Sequence, residues 1–168
     1  MVIIFSRRNS RFLKEIANIL CEFGCGYIDD RRIELKENCF SVIAEYNKTN
    51  IDFIKGVVVF CDDTEKFNGQ TIPLNAIGVS DGNNRNALNI FKNNKTAAIS
   101  CGMNPKNTIT LSSIENGKIF ISLQRTIIDI NGNKIEPGEY KMDYNNSYDP
   151  FSYLISLAVL LVMDKYTQ

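Results

Sequence analysis

Histidine is absent from all 168 residues. That excludes catalytic dyads and triads built on imidazole, His-containing metal sites and a histidine pH switch. Any acid–base chemistry must rest on carboxylates, Lys, Tyr or Cys. Tryptophan is absent too, which removes one strong stacking platform for single-stranded nucleic acid. Neither sign of charge is in excess: Lys plus Arg and Asp plus Glu stand at 19 each, so no overall field draws the chain to nucleic acid or an acidic membrane. Neither partner is expected. No apolar run is long, since Leu154 to Met163, with Ser156 inside it, is about half a membrane span. Met1-Val-Ile-Ile-Phe5 meets Arg7-Arg8 before it makes a secretory leader, so none is expected. Cys-x-x-Cys pairs are also missing. The five cysteines, Cys21, Cys25, Cys39, Cys61 and Cys101, are an odd and scattered set that argues against zinc and for reduced, mostly buried thiols in a cytoplasmic protein.

What is present is ordinary in amount. Apolar residues at 44% and charged residues at 23% match a soluble globular chain. This length buries roughly 70% of the unfolded surface, enough for one core. Asn, Ile and Lys are heavily used, a bias that the codons of an AT-rich genome explain, so each Asn is a weaker clue. No repeat, low-complexity tract or linker interrupts the chain. Residues 1–168 read as a single α/β domain.

The most informative stretch runs from Gly56 to Ile114. Gly56-Val-Val-Val-Phe-Cys-Asp-Asp63 is an apolar strand ending in two carboxylates, and Ala97 to Cys101 is a second apolar strand ending in Gly102. Runs of this kind belong to parallel sheets buried on both faces, and ligands in open α/β sheets sit at such strand ends. Ile72 to Val79 reads as another strand. Asp63 to Gln70 reads as a polar loop with one helical turn. Asn83 or Asn84 caps a helix with Ala87, Leu88 and Phe91 on one face, stopped at Asn93-Asn94. Upstream, Val2 to Phe5 is a short strand, and Ser10 caps a helix carrying Phe12, Leu13, Ile16, Ile19, Leu20 and Phe23 up to Gly24. Tyr27 to Arg32 reads as a solvated mixed-charge loop. Arg32 to Leu35 and Cys39 to Tyr46 read as a hairpin about Lys36-Glu37-Asn38.

After Pro105 the pattern changes. Short strands at Thr108 to Ile114, Lys118 to Arg125, Ile127 to Ile130 and Lys134 to Glu136 alternate with Asn116-Gly117, Asn131-Gly132 and Pro137-Gly138. Asn-Gly favours the type I′ hairpin turn. A β-meander reaching Met142 is therefore expected. Asp149-Pro150 then opens a last helix whose Leu, Ile, Ala and Val residues cover most of its circumference, which places it deep. The fold class is α/β, a partly parallel Rossmann-like sheet with an antiparallel β-meander extension and a buried C-terminal helix.

In their order these parts resemble the latter portion of the central, ATP-binding domain of the Mur ligases and folylpolyglutamate synthases, over about Gly56 to Met163. Where that family has a strand ending Asn-Ala-Asp-Asp-Pro, this chain has Val57-Val-Val-Phe-Cys-Asp-Asp-Thr64. Ala97-Ala-Ile-Ser-Cys-Gly102 matches its Gly-bearing turn. Tyr148-Asp-Pro-Phe-Ser-Tyr153 stands where the family's buried helix opens His-Asn-x-x-Asn. The resemblance implies a bacterial, cytoplasmic protein. The family's phosphate loop, Gly-x-x-Gly-Lys-Thr/Ser, occurs nowhere in the chain, and neither does its His-Asn pair. Its separate C-terminal ligand-binding domain is expected to be missing as well. The resemblance thus implies a scaffold without the ATP machinery, its first half rebuilt or unrelated.

Two places qualify as sites. Asp62 and Asp63 stand at a strand end, where carboxylates hold Mg²⁺ beside a phosphate; the plainer alternative is a solvated turn. Gly78-Val-Ser-Asp-Gly-Asn-Asn-Arg85 enters a helix, with Ser80, Asn83, Asn84 and Arg85 as candidate anion ligands through amides, hydroxyl and guanidinium. Asp81 opposes a phosphate there, and the plainer alternative is a capped polar connection. Cys101 beside Gly102 has no histidine to activate it and reads as core. Arg125 either faces solvent or pairs with a buried carboxylate such as Asp129. No cofactor is expected, Mg²⁺ belonging to the enzyme alternative. The expected function is a non-catalytic scaffold or binding module, for a protein partner or a small anionic ligand. The alternative is a small enzyme acting on a phosphorylated or nucleotide ligand.

Overall fold

The computed structural model describes residues 1–36, 40–61 and 65–166. The chain opens with β1 (Val2–Phe5), α1 (Arg11–Glu22), β2 (Gly26–Ile28), β3 (Ile33–Glu34), β4 (Ser41–Glu45) and β5 (Gly56–Phe60). Then come β6 (Ala76–Asp81), α2 (Arg85–Asn93), β7 (Ala97–Cys101), β8 (Ile109–Glu115) and β9 (Lys118–Leu123). A small hairpin of β10 (Ile127–Ile128) and β11 (Lys134–Ile135) precedes β12 (Gly138–Asp143) and α3 (Pro150–Val162). Ten strands make one sheet in the order β12-β9-β8-β7-β6-β5-β1-β4-β2-β3. Every neighbouring pair from β2 to β8 is parallel, while β3, β9 and β12 run antiparallel to their partners. The expected mixed sheet is present.

Two cores follow from the alternation of side chains across the pleat. On one face Val2, Ile4, Val57, Val59, Val79 and Ile99 meet α1 and α3. On the other, Ile3, Phe5, Val58 and Phe60 meet Phe67, Ala87, Ile90 and Phe91. There Phe5 stacks on Phe60 at 5.0 Å and meets Phe67 edge-on at 4.8 Å, geometries each worth about 0.5–1.5 kcal/mol beyond area burial.

The helices begin and end as their sequences dictate. Ser10 Oγ accepts from the Leu13 amide at 3.3 Å, and Gly24, at φ +82°, closes α1 by donating to Cys21 O at 3.0 Å. Asn84 Oδ1 caps α2 through the Ala87 amide at 3.0 Å. In α3, Asp149 Oδ1 accepts from the Phe151 amide at 2.8 Å and Pro150 takes the first turn. Residues from Ser152 to Val162 are all buried, as a helix apolar around its whole circumference requires.

Some expectations fail. The hairpin between residues 32 and 46 is not formed: β3 pairs antiparallel with β2, and β4 lies parallel to both β1 and β2. A polar turn marks a chain reversal without saying which strand receives the next one. Residues 37–39, the middle of that turn and Cys39, lie outside the described residues. Tyr27 is not in a solvated loop; it sits in β2 and is buried. Only the following segment turns, with Asp29 Oδ1 accepting from the Arg31 and Arg32 amides at 2.8 and 2.7 Å. β6 starts at Ala76 rather than Ile72 because the Ala76 amide turns back to Pro73 O at 3.0 Å. The polar segment after Asp63 has its single helical turn at Glu65–Phe67, and Phe67 is buried completely.

Candidate functional site

The parallel strands β5, β6 and β7 end on the same edge of the sheet, the edge at which open α/β sheets bind ligands. A cleft of about 600 Å³ lies there. Cys61 follows β5, Asp81 and Asn83 end β6 and its turn, and Gly102, Met103 and Asn104 follow β7. Phe12 from α1 and Phe151 from α3 form one wall, 5.8 Å apart and nearly perpendicular. Asp149, the cap of α3, completes the rim.

Glu15 fixes that wall. It is 4% exposed and stands on the inner side of α1. Its carboxylate accepts from Arg11 Nε at 2.6 Å, Ser152 Oγ at 2.7 Å and the Asp149 amide at 2.9 Å. Arg11 also donates to Ser147 O at 2.9 Å. The start of α1 is thereby joined to the start of α3. Burial works to raise the Glu15 pKa, but the bonds from Ser152, Arg11 and the Asp149 amide together hold it below its ordinary value. With both oxygens engaged, Glu15 positions the helices and is not poised as a base. Sequence reasoning missed it. Its signal was a carboxylate on the apolar side of an amphipathic helix, four residues after an arginine.

The cleft edge is held by close packing as well. The carboxamide of Asn107, 7% exposed, lies between Gly82 and Gly102. A Cβ on Gly102 would stand 2.5 Å from Asn107 Nδ2, and one on Gly82 would collide with Asn107 Oδ1. A side chain at either strand end would have to displace the Asn107 carboxamide, which gives Gly82 and Gly102 a packing role.

The residues expected to bind an anion are not brought together. Ser80 is completely buried on the α2 side of the sheet, its Oγ without a hydrogen-bond partner among the described residues. Asn84 caps α2 with its side chain. Arg85 is exposed at the start of that helix. Asn83 alone of the four lines the cleft. Nor are the backbone donors available: the Gly82 amide bonds Cys101 O at 2.9 Å, Asn84 bonds Asp81 O and Arg85 bonds Asn83 O, both at 3.0 Å. The Asn83 amide donates to Asp81 Oδ1 at 2.8 Å. The chain's own carboxylate thus occupies the place an anion would take. Asp62 and Asp63 lie outside the described residues.

The other strand-to-helix connection at this edge, from β1 to α1, is Ser6-Arg7-Arg8-Asn9-Ser10 and holds no glycine. Arg8 pairs with Asp30 at 3.3 Å and lies over the Tyr46 ring at 5.6 Å. Lys66 donates to Ser6 O and Tyr46 O at 3.1 and 2.6 Å. Beside this connection a smaller hollow of about 150 Å³ opens between Asn9, Tyr27, Asp29 and Tyr46. Burial raises the Tyr27 and Tyr46 hydroxyl pKa values, so both rings stay neutral donors. Cys101 is completely buried under α3, and burial pushes its thiol far up, away from any nucleophilic role. Arg125 faces solvent and donates to Lys106 O at 2.8 Å. Asp129 instead takes the Asn131 and Asn133 amides at 2.7 and 2.8 Å.

A ten-stranded sheet with a parallel centre, an antiparallel wing and a buried closing helix defines a Mur-ligase-like α/β fold. The chain is similar to a murein peptide ligase from Psychrobacter arcticus 273-4, at a TM-score of 0.59 and 8% identity, over 95% of this chain and 43% of that one. It is also similar to UDP-N-acetylmuramate:L-alanyl-gamma-D-glutamyl-meso-diaminopimelate ligase from Neisseria meningitides, at a TM-score of 0.55 and 10% identity, over 96% and 60% of the two chains. At these identities the likeness is one of fold. The chain spans about half the length of the ligase structures it matches. The likeness takes in the first half of the chain too, which corrects the expectation that it begins near Gly56. No protein-family model and no curated protein matches the sequence.

Proposed function

We propose that this chain is a binding module on a Mur-ligase-like scaffold, which does not itself transfer phosphate and takes its ligand in the cleft rimmed by Phe12, Asp81 and Phe151. One observation carries this reading: the amides between Asp81 and Arg85 are bonded within the chain, one of them to the Asp81 carboxylate. Phosphoryl transfer works by positioning, with backbone amides, a lysine and a hydroxyl around phosphates and Mg²⁺. A glycine-free β1–α1 connection and an amide set closed by Asp81 do not provide that cradle. Among the described residues the cleft lining has two carboxylates, two carboxamides and an aromatic wall, with no Lys or Arg. Such a lining suits a ligand that donates hydrogen bonds and offers an apolar face.

Isothermal titration with Mg·ATP, with turnover measured in parallel on wild type, Arg85→Ala and Asp62→Asn, tests the reading. The expected outcome is no micromolar binding and no phosphate release. Micromolar affinity with turnover lost in Asp62→Asn would establish instead an enzyme that uses Mg²⁺ at Asp62 and Asp63.

A further inference from the structure

The end of α1 carries a chemical feature that the cleft does not use. Cys21 lies in the last turn of the helix and Cys25 immediately precedes β2. Their sulfurs are 3.8 Å apart. The helix stop produces this approach. Gly24, at φ +82°, reverses the chain, its amide reaching Cys21 O at 3.0 Å while the Cys25 amide reaches Leu20 O at 3.3 Å. That 5→2 and 6→1 pairing of a helix C-terminus brings the fourth residue after Cys21 back beside it. Cys21 is half-buried and Cys25 is completely buried. One thiol is therefore within reach of a reagent and the other waits behind it.

We infer that Cys21 and Cys25 form a modification site, a dithiol that a small-molecule disulfide such as oxidised glutathione converts to an intramolecular disulfide. The Cys21 thiolate attacks one sulfur of the reagent, forming a mixed disulfide and releasing one glutathione thiolate. Cys25, as its thiolate, then attacks the Cys21 sulfur and displaces the second. In balance, two protein thiols become one disulfide, and one oxidised glutathione becomes two reduced molecules. For the bond to form, the sulfurs must close from 3.8 Å to about 2.05 Å. The crosslink pins the far end of the helix whose first turn walls the cleft, so it acts on α1 without entering the ligand site.

The test uses the full chain, reduced and then equilibrated in buffers of rising oxidised-to-reduced glutathione ratio, alkylated and digested. Trypsin cuts after Lys14 and Arg31, so Cys21 and Cys25 fall in one peptide and Cys39 in another. The expected product is that single peptide, two hydrogens lighter and refractory to alkylation. In Cys25→Ser the reaction should stop at one glutathione adduct on Cys21. In Cys21→Ser the peptide should gain neither crosslink nor adduct. A crosslink joining Cys25 to the Cys39 peptide overturns the assignment. So does a wild-type peptide still alkylated at both cysteines in the most oxidising buffer, or a Cys25→Ser protein without the adduct.

Discussion

The parallel block and the antiparallel wing of this sheet solve burial differently. In the block, β5 is Gly56-Val-Val-Val-Phe60, and all five residues are buried because helices cover both faces. In the wing, β9 alternates: Ile119, Ile121 and Leu123 enter the α3 core, while Lys118, Phe120 and Ser122 are half-buried. One helix, α3, packs on strands of both, touching β6 and β7 as well as β8 and β9. The block therefore depends on two layers of cover and the wing on one. The cleft opens at the block's strand ends, where the pleat stops and loops diverge.

The largest effect that would break this contrast is a charge in α3. Leu157 is completely buried, and Leu157→Asp leaves a carboxylate without a partner, at a cost of about 4 kcal/mol or more. The expected outcome is loss of soluble expression or of a cooperative thermal transition. Lys141→Asp, on the exposed side of β12, is expected to change stability by no more than about 0.5 kcal/mol. Equal melting temperatures for the two variants would mean that α3 is peripheral.

The same contrast explains what was legible in the sequence. Val57 to Cys61 and Ala97 to Cys101 are continuous apolar runs, and continuity signals two-sided burial before any partner is known. The wing was legible through its turns: Asn116 and Gly117 take φ +51° and +70°, the two positive values a type I′ turn needs. Strand partners were not legible. β4 sits between β1 and β2, yet nothing in Ser41 to Glu45 names them, because parallel neighbours are chosen by tertiary packing and not by a local turn. The cleft was half legible. Strand ends pointed to the right edge of the sheet, and Asn83 lines the cleft there. Glu15, Phe12, Asn107 and Phe151 come from distant positions and meet only in three dimensions. Ser80 does not line the cleft, because parity along β6 puts its side chain on the face opposite that of Asp81.

Glycine substitutions sharpen the comparison at intermediate size. A Cβ on Gly78, in the block, would stand 2.5 Å from Phe91 Cε1, and Phe91 is locked among Phe60 and the other buried rings. Gly78→Ala is expected to cost about 2–3 kcal/mol, as overpacking does. Gly117, in the wing, has nothing within 4 Å of its would-be Cβ. There the cost is only the positive φ, about 1 kcal/mol. Denaturant titration separates the two. If Gly117→Ala cost more than Gly78→Ala, backbone conformation and not packing would govern both regions.

A loss smaller than those at Leu157 and Gly78 is expected at the seam, where Glu15 joins α1 of the block to α3 beneath the wing. Glu15→Gln keeps the shape but turns a donor toward one of three groups that now donate to it, the Arg11 guanidinium, the Ser152 hydroxyl and the Asp149 amide. The expected loss at neutral pH is about 1–2 kcal/mol, or roughly 2–8 °C in melting temperature for a chain of this size. The pH dependence gives the sharper test. The folded-state pKa of Glu15 lies below its ordinary value of 4.5, so its ionised form contributes stability in full above that value. The contribution is lost as pH falls through the lowered folded-state pKa. Glutamine does not titrate. The difference between wild type and Glu15→Gln should therefore be constant near neutrality and shrink in acid, where the wild-type carboxyl takes up its proton. A difference that grows as the pH drops would mean that Glu15 is held protonated by its burial and that the three donors do not outweigh it.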